Sequence, residues 1–344
     1  MADIFTDSSE RDALVNDVAG RRGVAAWVIE KDLWVCWTLA RLNEIDGIPQ
    51  LTFKGGTSLS KVHGLIERFS EDIDLTFSRD SWDFVGERDP LGVGLSGKKR
   101  QALVDEIGER SAKVVRDVVV PELRTVCLRD IGRAGWSVEI DVVDPQAVLF
   151  TFPNPSAGYG YGQPQVKIEF GARGDPWPTS RKKVVAYIEE THSGTAPTAV
   201  TEVTALDPER TFWEKVTLLH ALHHGTLAKA DKTVHRLSRH VYDVHRIWHT
   251  EKLRTNVLNA QLLRAVVENK QVFFKENKAR YDLAEKFELS CAPHPDLATA
   301  MRTDFGAMES MFFPQSSVPT FDEALATLKE IDSIVAGWKT QPPA

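Results

Sequence analysis

Asp72 and Asp74, separated by Ile73 and followed by Leu75, are the residues of this chain whose type and spacing most directly define a chemistry. Side chains alternate along a strand, so both carboxylates fall on one face while Ile73 and Leu75 turn to the other, against a core. Two adjacent carboxylates repel each other, and a divalent cation between them removes that repulsion. Magnesium, a hard ion, takes one or two carboxylates together with the phosphate oxygens of a substrate. Upstream, Gly55-Gly56-Thr57-Ser58 would let backbone N–H groups and two hydroxyls approach a triphosphate at the positive end of a following helix. Metal on one side and triphosphate on the other describe phosphate-transfer chemistry. Either half alone is weak, because glycine turns before helices are common and an isolated Asp-x-Asp also occurs in solvated turns and calcium sites.

Positioning these groups takes a strand, a turn, a helix and a second strand, in that order. The pattern predicts a strand over 51–53, a turn at Gly55-Gly56, a helix over 57–66 and a strand over 72–77. Ahead of them, 24–42 predicts a mostly buried helix that includes Trp27, Trp34, Cys36, Trp37 and Leu39, with Gly47-Ile48-Pro49 ending the run. Residues 80–97 are rich in glycine, proline and charge and lead into a predicted helix over 98–123. Two strands are expected at 137–143 and 166–170, separated by a loop over 153–164 with repeated glycines and tyrosines. After Asp207-Pro208, a helix-starting pair, helices are expected over 211–223, 235–249, 256–274 and 321–335. The expected class is α+β: a domain over 1–200 with a mixed sheet flanked by helices, then a helical domain over 201–344.

Composition narrows the classes further. With 344 residues, 42% hydrophobic and 26% charged, the chain can bury a sizeable core. Three cysteines, Cys36, Cys127 and Cys291, without CxxC spacing, suggest neither a disulfide framework nor a zinc ribbon. The N-terminus lacks the basic start and apolar run of a signal peptide, and no apolar stretch reaches membrane-spanning length, so a cytoplasmic protein with no membrane partner is expected. A net charge of −7 argues against a generic nucleic-acid coat, although basic residues gather in 173–183 and 229–254 and could meet an anionic partner locally.

The order strand, Gly-Gly turn, helix, Asp-x-Asp strand resembles the DNA polymerase β nucleotidyltransferase superfamily. More specifically, FKGGTSLSKVHGLIERFSEDIDLTF, with Arg68, Ser70 and the Asp72-Ile73-Asp74 triplet, resembles the AbiEii/AbiGii toxins of type IV toxin–antitoxin systems. The segments VKIEFGARGDPWP, ERTFWEKVTLLHAL, RLSRHVYDVHRI and RTDFGAMESMFF are similar to that family too. The resemblance implies a polymerase-β-like fold for the first domain. It implies a magnesium-dependent enzyme that moves a nucleoside monophosphate from a nucleoside triphosphate to an RNA acceptor, the 3′ end of a tRNA, blocking translation. An antitoxin partner encoded nearby is implied as well.

By the same resemblance Glu169, on the strand over 166–170, is the candidate third carboxylate. Alternation puts it beside Lys167 and away from Val166, Ile168 and Phe170; a surface Lys–Glu pair explains it equally well, and Asp141 competes for the role. Lys215 shares a helix face with Leu218, Leu219 and Leu222; left to itself it would snorkel to water, whereas the resemblance gives it the nucleotide phosphates. Asp243 stands one turn from Arg239 on the charged face of its helix, an arrangement open to an ordinary intrahelical ion pair, while the resemblance makes it necessary for activity. The nucleotide-binding set is then Gly55, Gly56, Thr57, Ser58 and Lys215. No histidine is assigned a role, and the tryptophans are expected in the core, Trp177 in its Pro-Trp-Pro turn being the one left open. Ser70, two residues before Asp72, is a candidate regulatory phosphosite: a phosphate there adds about −1.5 to −2 charges beside the metal. Two other readings stay open, a small-molecule acceptor as in antibiotic-modifying enzymes, and a nucleotide-binding module without turnover.

Overall fold

The computed structural model describes residues 4–153, 155, 163–225 and 236–341. Most of the expected loop over 153–164 and the start of the basic run at 229 lie outside them. The chain opens with α1 (Ser8–Arg22), capped by the Asp7 side chain, and α2 (Ala26–Leu42), whose two tryptophans Trp34 and Trp37 are fully buried. Then follow β1 (Leu51–Lys54), α3 (Gly55–Lys61) and β2 (Ile73–Phe77). A long helical rod comprises α4 (Gly97–Val114), five residues Val115–Val119 wound as a π-helix, and α5 (Val120–Asp130). Next come β3 (Ser137–Ile140), β4 (Ala147–Thr151), β5 (Gln165–Gly171), β6 (Thr179–Val185), α6 (Tyr187–Thr191) and β7 (Val200–Leu206). The rest is helical: α7 (Pro208–His223), α8 (Arg239–Trp248), α9 (Glu251–Val257), α10 (Ala260–Phe273), α11 (Tyr281–Glu285), α12 (Pro295–Ala307) and α13 (Phe321–Gly337).

One mixed sheet of seven strands runs in the order β3-β4-β5-β2-β1-β7-β6. β2 lies at its centre, antiparallel to β1 and parallel to β5. Buried apolar residues gather in two clusters. The first packs the sheet against α1, α2 and the α4–α5 rod through Trp34, Trp37, Phe77 and Phe150; the second joins the C-terminal helices around Phe212, Trp213 and Trp248 and takes in Leu59 and Ile66 from the α3 region.

Several expected boundaries move. α3 begins at the glycines themselves and ends at Lys61, short of the expected 66, and Gly64 with φ 62° continues in a conformation no helix uses. Strands β4, β6 and β7 were not foreseen. β6 reads TSRKKVV and lies at a sheet edge, where cations on both faces hide the period-2 signal. The expected helix over 256–274 is two helices, because the Asn259 side chain caps a fresh start by accepting from the Leu262 N–H.

Candidate active site

Strand register brings the first groups together. Across the antiparallel β1–β2 pair Lys54 faces Asp74, and across the parallel β2–β5 pair Asp74 faces Glu169. Ile73 and Leu75 on the other side of β2 are buried in the core, so the alternation read from the sequence holds. Gly55 has φ 79°, and a Cβ on it would overlap the Asp74 carboxylate; a Cβ on Gly56 would come within 2.6 Å of Ser70 Oγ and 2.9 Å of Arg68 Nη2. The glycines thus let the start of α3 close onto the acidic strand.

Asp72, Asp74 and Glu169 form one wall of a cavity of about 220 Å³, with Gly55, Gly56 and Ser70 beside them. The facing wall is helical: Thr211, Glu214, Lys215 and Leu218 from α7, Arg239 and His240 from α8, and Lys270 from α10. Two expected contributors turn away. Thr57 Oγ1 donates to the Asp72 carbonyl at 2.5 Å and lies 3.1 Å from Ser70 Oγ, while Ser58 is buried and absent from the cavity lining. Thr57 therefore braces the strand end, and neither hydroxyl faces a ligand there. Ser70 does line the cavity, half-buried. Asp141 stands in the turn after β3, where it accepts from the Val143 N–H at 2.7 Å, and is not part of the cavity. Glu169 lies 2.5 Å from Lys167, so its surface ion pair and its place in the cavity wall coexist.

The two walls differ in charge balance. Among the described residues neither the Asp72 nor the Asp74 carboxylate makes an ion pair or a side-chain hydrogen bond. Burial pushes Asp74 up to about 6, against the pull of Lys54 and with Glu169 and Asp72 adding repulsion; Asp72 is raised by burial and by Glu71. Asp243 is the opposite case. It is fully buried, and Arg68 grips it through Nε at 2.8 Å and Nη2 at 2.7 Å, with Lys215 Nζ at 2.9 Å. Burial would raise it, but those two cations hold it well below the usual carboxylate range. The expected Arg239–Asp243 intrahelical pair is thus replaced by a bidentate bond to Arg68, far away in sequence, and Arg239 is free to line the cavity. The segment carrying Arg68 is itself pinned, since Phe69 N–H donates to the Met311 carbonyl at 2.7 Å. Lys215 also lies 3.4 Å from His240 Nδ1, and burial lowers both groups.

Lys54, Arg68, Glu214, Arg239, His240 and Lys270 thus join the site, although none of them was expected to take part in it. Lys54 and Glu214 had a weak signal, each being adjacent to an expected site residue; Lys270 had none. A larger cavity of about 690 Å³ opens between α8 and α13 around His245, His249 and Thr327. Volume alone does not make it the better candidate: its carboxylates Glu323 and Glu330 are already partnered by Thr320, Trp248 and Arg254, whereas Asp72 and Asp74 in the smaller cavity have no such partner among the described residues.

The family model of the nucleotidyl transferase AbiEii toxin, type IV toxin–antitoxin system, matches residues 37–327. The chain belongs to the AbiEii family. Among solved structures, JHP933 from Helicobacter pylori is similar at TM-score 0.43 and 12% identity, over 92% of this chain and 94% of that one. No curated protein matches the chain significantly. The AbiEii match includes every residue of the cavity, and nucleotidyl transfer is the activity class that goes with the family. Among the described residues no helix is long and apolar enough to cross a membrane, and no three His, Cys, Asp or Glu side chains converge to hold one metal ion. A two-carboxylate set leaves the remaining coordination to substrate oxygens and water, which suits magnesium better than a cation that needs an all-protein cage.

Proposed function

We propose that this AbiEii protein is a magnesium-dependent nucleotidyltransferase toxin whose centre is Asp72 and Asp74. The observation that carries the reading is the unneutralised carboxylate pair facing a wall of cations across a cavity of about 220 Å³. Magnesium bound by Asp72 and Asp74 would supply charge neutralisation at the α-phosphate and acidify the attacking hydroxyl. Lys215, fixed by Asp243, would hold the triphosphate, helped by Lys54, Arg239 and Lys270. The acceptor oxygen bonds to the α-phosphorus, the bond to the β-phosphate oxygen breaks, and pyrophosphate leaves. Glu169, directly opposite Asp74 in register, would take the hydroxyl proton.

In this reading a polymerase-β-like catalytic domain precedes a helical one, but the boundary expected at 200 moves to the β7–α7 junction near Asp207, because β7 (Val200–Leu206) pairs with β1 and β6 in the sheet. Membership of a type IV toxin family supports a cognate antitoxin, and in this reading the protein acts in the cytoplasm on an RNA acceptor, the 3′ end of tRNA. Ser70, on the cavity wall, remains the proposed phosphosite, and a Ser70→Asp protein should lose triphosphate binding. Incubation with magnesium, each labelled nucleoside triphosphate and total tRNA should label RNA with wild-type protein and not with Asp72→Ala; RNA left unlabelled by wild type would sink the reading. The net charge of −7 favours, as the second reading, a small-molecule acceptor, which label on an aminoglycoside-like compound with RNA unlabelled would establish.

A further inference from the structure

Residues 172–178, between β5 and β6, form a turn that exposes Arg173 and Trp177 while its backbone is held from below. Buried Arg79 donates from Nη1 to the carbonyls of Ala172 at 3.3 Å, Arg173 at 3.4 Å and Gly174 at 3.0 Å. Fully buried Arg210 donates from Nη1 to the Trp177 carbonyl at 2.8 Å and to Asp175 Oδ2 at 3.0 Å. Asn269 Nδ2 donates to the Arg173 carbonyl at 3.1 Å. Two of these three anchors adjoin the cavity wall in sequence: Arg210 precedes Thr211 and Asn269 precedes Lys270, and both successors line the cavity. The turn also continues the strand of Glu169. The turn, hereafter the rim, is therefore fixed by α7 and α10, the helices that also supply Lys215 and Lys270 to the cavity.

What this rim presents is the reverse of its buried side. Trp177, between two prolines, is 60% exposed, the most exposed tryptophan among the large apolar side chains on the surface. Arg173 is exposed, and among the described residues its guanidinium makes no ion pair or hydrogen bond. The one acid of the turn, Asp175, is covered by Arg210 at 3.0 Å and Arg79 at 4.0 Å. Beyond the turn, edge strand β6 exposes Arg181, which is paired with Glu202 at 3.1 Å, and Lys182 and Lys183, which among the described residues make no ion pair. A rigid aromatic face flanked by uncompensated cations suits a polymer with both bases and phosphates: every base has a π-face to stack, and each phosphate releases counterions to a cation. Cations on an edge strand also discourage strand pairing with another protein, but that purpose explains neither an exposed tryptophan nor the buried arginines that fix its backbone.

We propose that the 172–178 rim is the docking surface for the unpaired end of the acceptor RNA, with a base stacked on Trp177 and its phosphate met by Arg173. This rests on the nucleotidyl-transfer reading for the identity of the acceptor, and it adds where that acceptor is gripped. Because the rim is built before any ligand arrives, binding does not require the triphosphate.

The test is binding without nucleotide or metal, using a fluorescein-labelled single-stranded oligoribonucleotide of twelve nucleotides, about the site size of one stacking platform, and the same sequence as a blunt duplex. Fluorescence anisotropy should show Trp177→Ala weakening single-strand binding about tenfold, with Trp177→Phe restoring most of it. Arg173→Ala should lower the salt slope by about one. Unchanged melting temperatures would show that the fold is intact. Equal single-strand affinity in wild type and Trp177→Ala overturns the proposal, as does equal affinity for duplex and single strand. So does a Trp177→Ala protein that keeps its RNA affinity but loses a purified cognate antitoxin, which would make the rim a protein interface. Pyrophosphate release is measured separately: if it never occurs while Trp177→Ala still loses RNA, the transfer reading fails and this one stands.

Discussion

Half-buried Asp74 lines the cavity, fully buried Asp243 stands behind the opposite wall and holds its Lys215 and Arg68, and the fold treats the two carboxylates in opposite ways. Asp243 is given two cations, one of them in a two-point grip from Arg68, and its charge is satisfied before any ligand arrives. Asp74 is given none within ion-pair distance, a second carboxylate two residues away, and a third across the strand. Burying an unpaired charge costs free energy that a folding-only design would avoid. The difference separates a scaffold acid, whose work is to hold Lys215 and Arg68 in place, from acids left unsatisfied for something that binds.

The largest effect expected from this contrast is on activity. Asp74→Asn should reduce pyrophosphate release by about a thousandfold or more, since the carboxylate that would hold the metal is gone. In the absence of divalent cations the same change should leave stability unchanged or raise it by about 1 kcal/mol, because a poorly solvated charge is removed; part of Asp74 still meets cavity water, so the gain is small. Urea unfolding in EDTA measures it, and a clear loss of stability in Asp74→Asn would break the comparison. Asp243→Asn should do the reverse and lower stability by about 3–5 kcal/mol, leaving Arg68 and Lys215 buried without their counter-charge.

The sequence made one of these two acids legible and misread the other, for a physical reason. Asp72 and Asp74 were found because strand alternation is local: four consecutive residues decide which way each side chain points. The role of Asp243 depends on Arg68, which approaches it from 175 positions away. Viewed along its own helix, Asp243 has Arg239 one turn back, and the local rule gives the wrong partner. Glu169 was placed on the correct face of its strand, but its register opposite Asp74 is a property of the pairing of β2 with β5, which no short segment contains. The same limit hid β4, β6 and β7. Thr57 and Ser58 show the converse: a helix of seven residues turns its first hydroxyls inward, and spacing alone does not tell a hydroxyl aimed at a ligand from one bracing Asp72.

A smaller effect tests whether close approach of α3 to Asp74 is what the glycine is for. Gly55→Ala should destabilise by about 1–3 kcal/mol, combining positive φ with overlap onto the Asp74 carboxylate. Gly23→Ala is the control, since Gly23 also has positive φ, 66°, but nothing within 4 Å of its added Cβ, and it should cost about 1 kcal/mol. Equal losses at the two positions would mean that backbone conformation alone explains Gly55.

The smallest effect is the pH dependence, and it has opposite signs for the two acids. Asp74 has a folded value of about 6, above its unfolded value, so between pH 6 and about 4 the folded state binds the extra proton. Its contribution to stability therefore rises as pH falls through that window. Asp243 has a folded value below its unfolded one, so its contribution is complete above about pH 4 and is lost on further acidification. Other groups titrate across the same range: His220, lowered by burial to about 4, makes the whole protein less stable as pH falls from 6.5. The test must therefore be a difference. Unfolding free energy of wild type minus Asp74→Asn, in EDTA, should increase on going from pH 7 to pH 4.5, by less than the limiting slope of about 1.4 kcal/mol per unit. The same difference taken with Asp243→Asn should stay flat over that range. A flat profile for Asp74 would mean that cavity water solvates its charge fully, and the carboxylate pair would then lose the unsatisfied character on which a metal site at this wall depends.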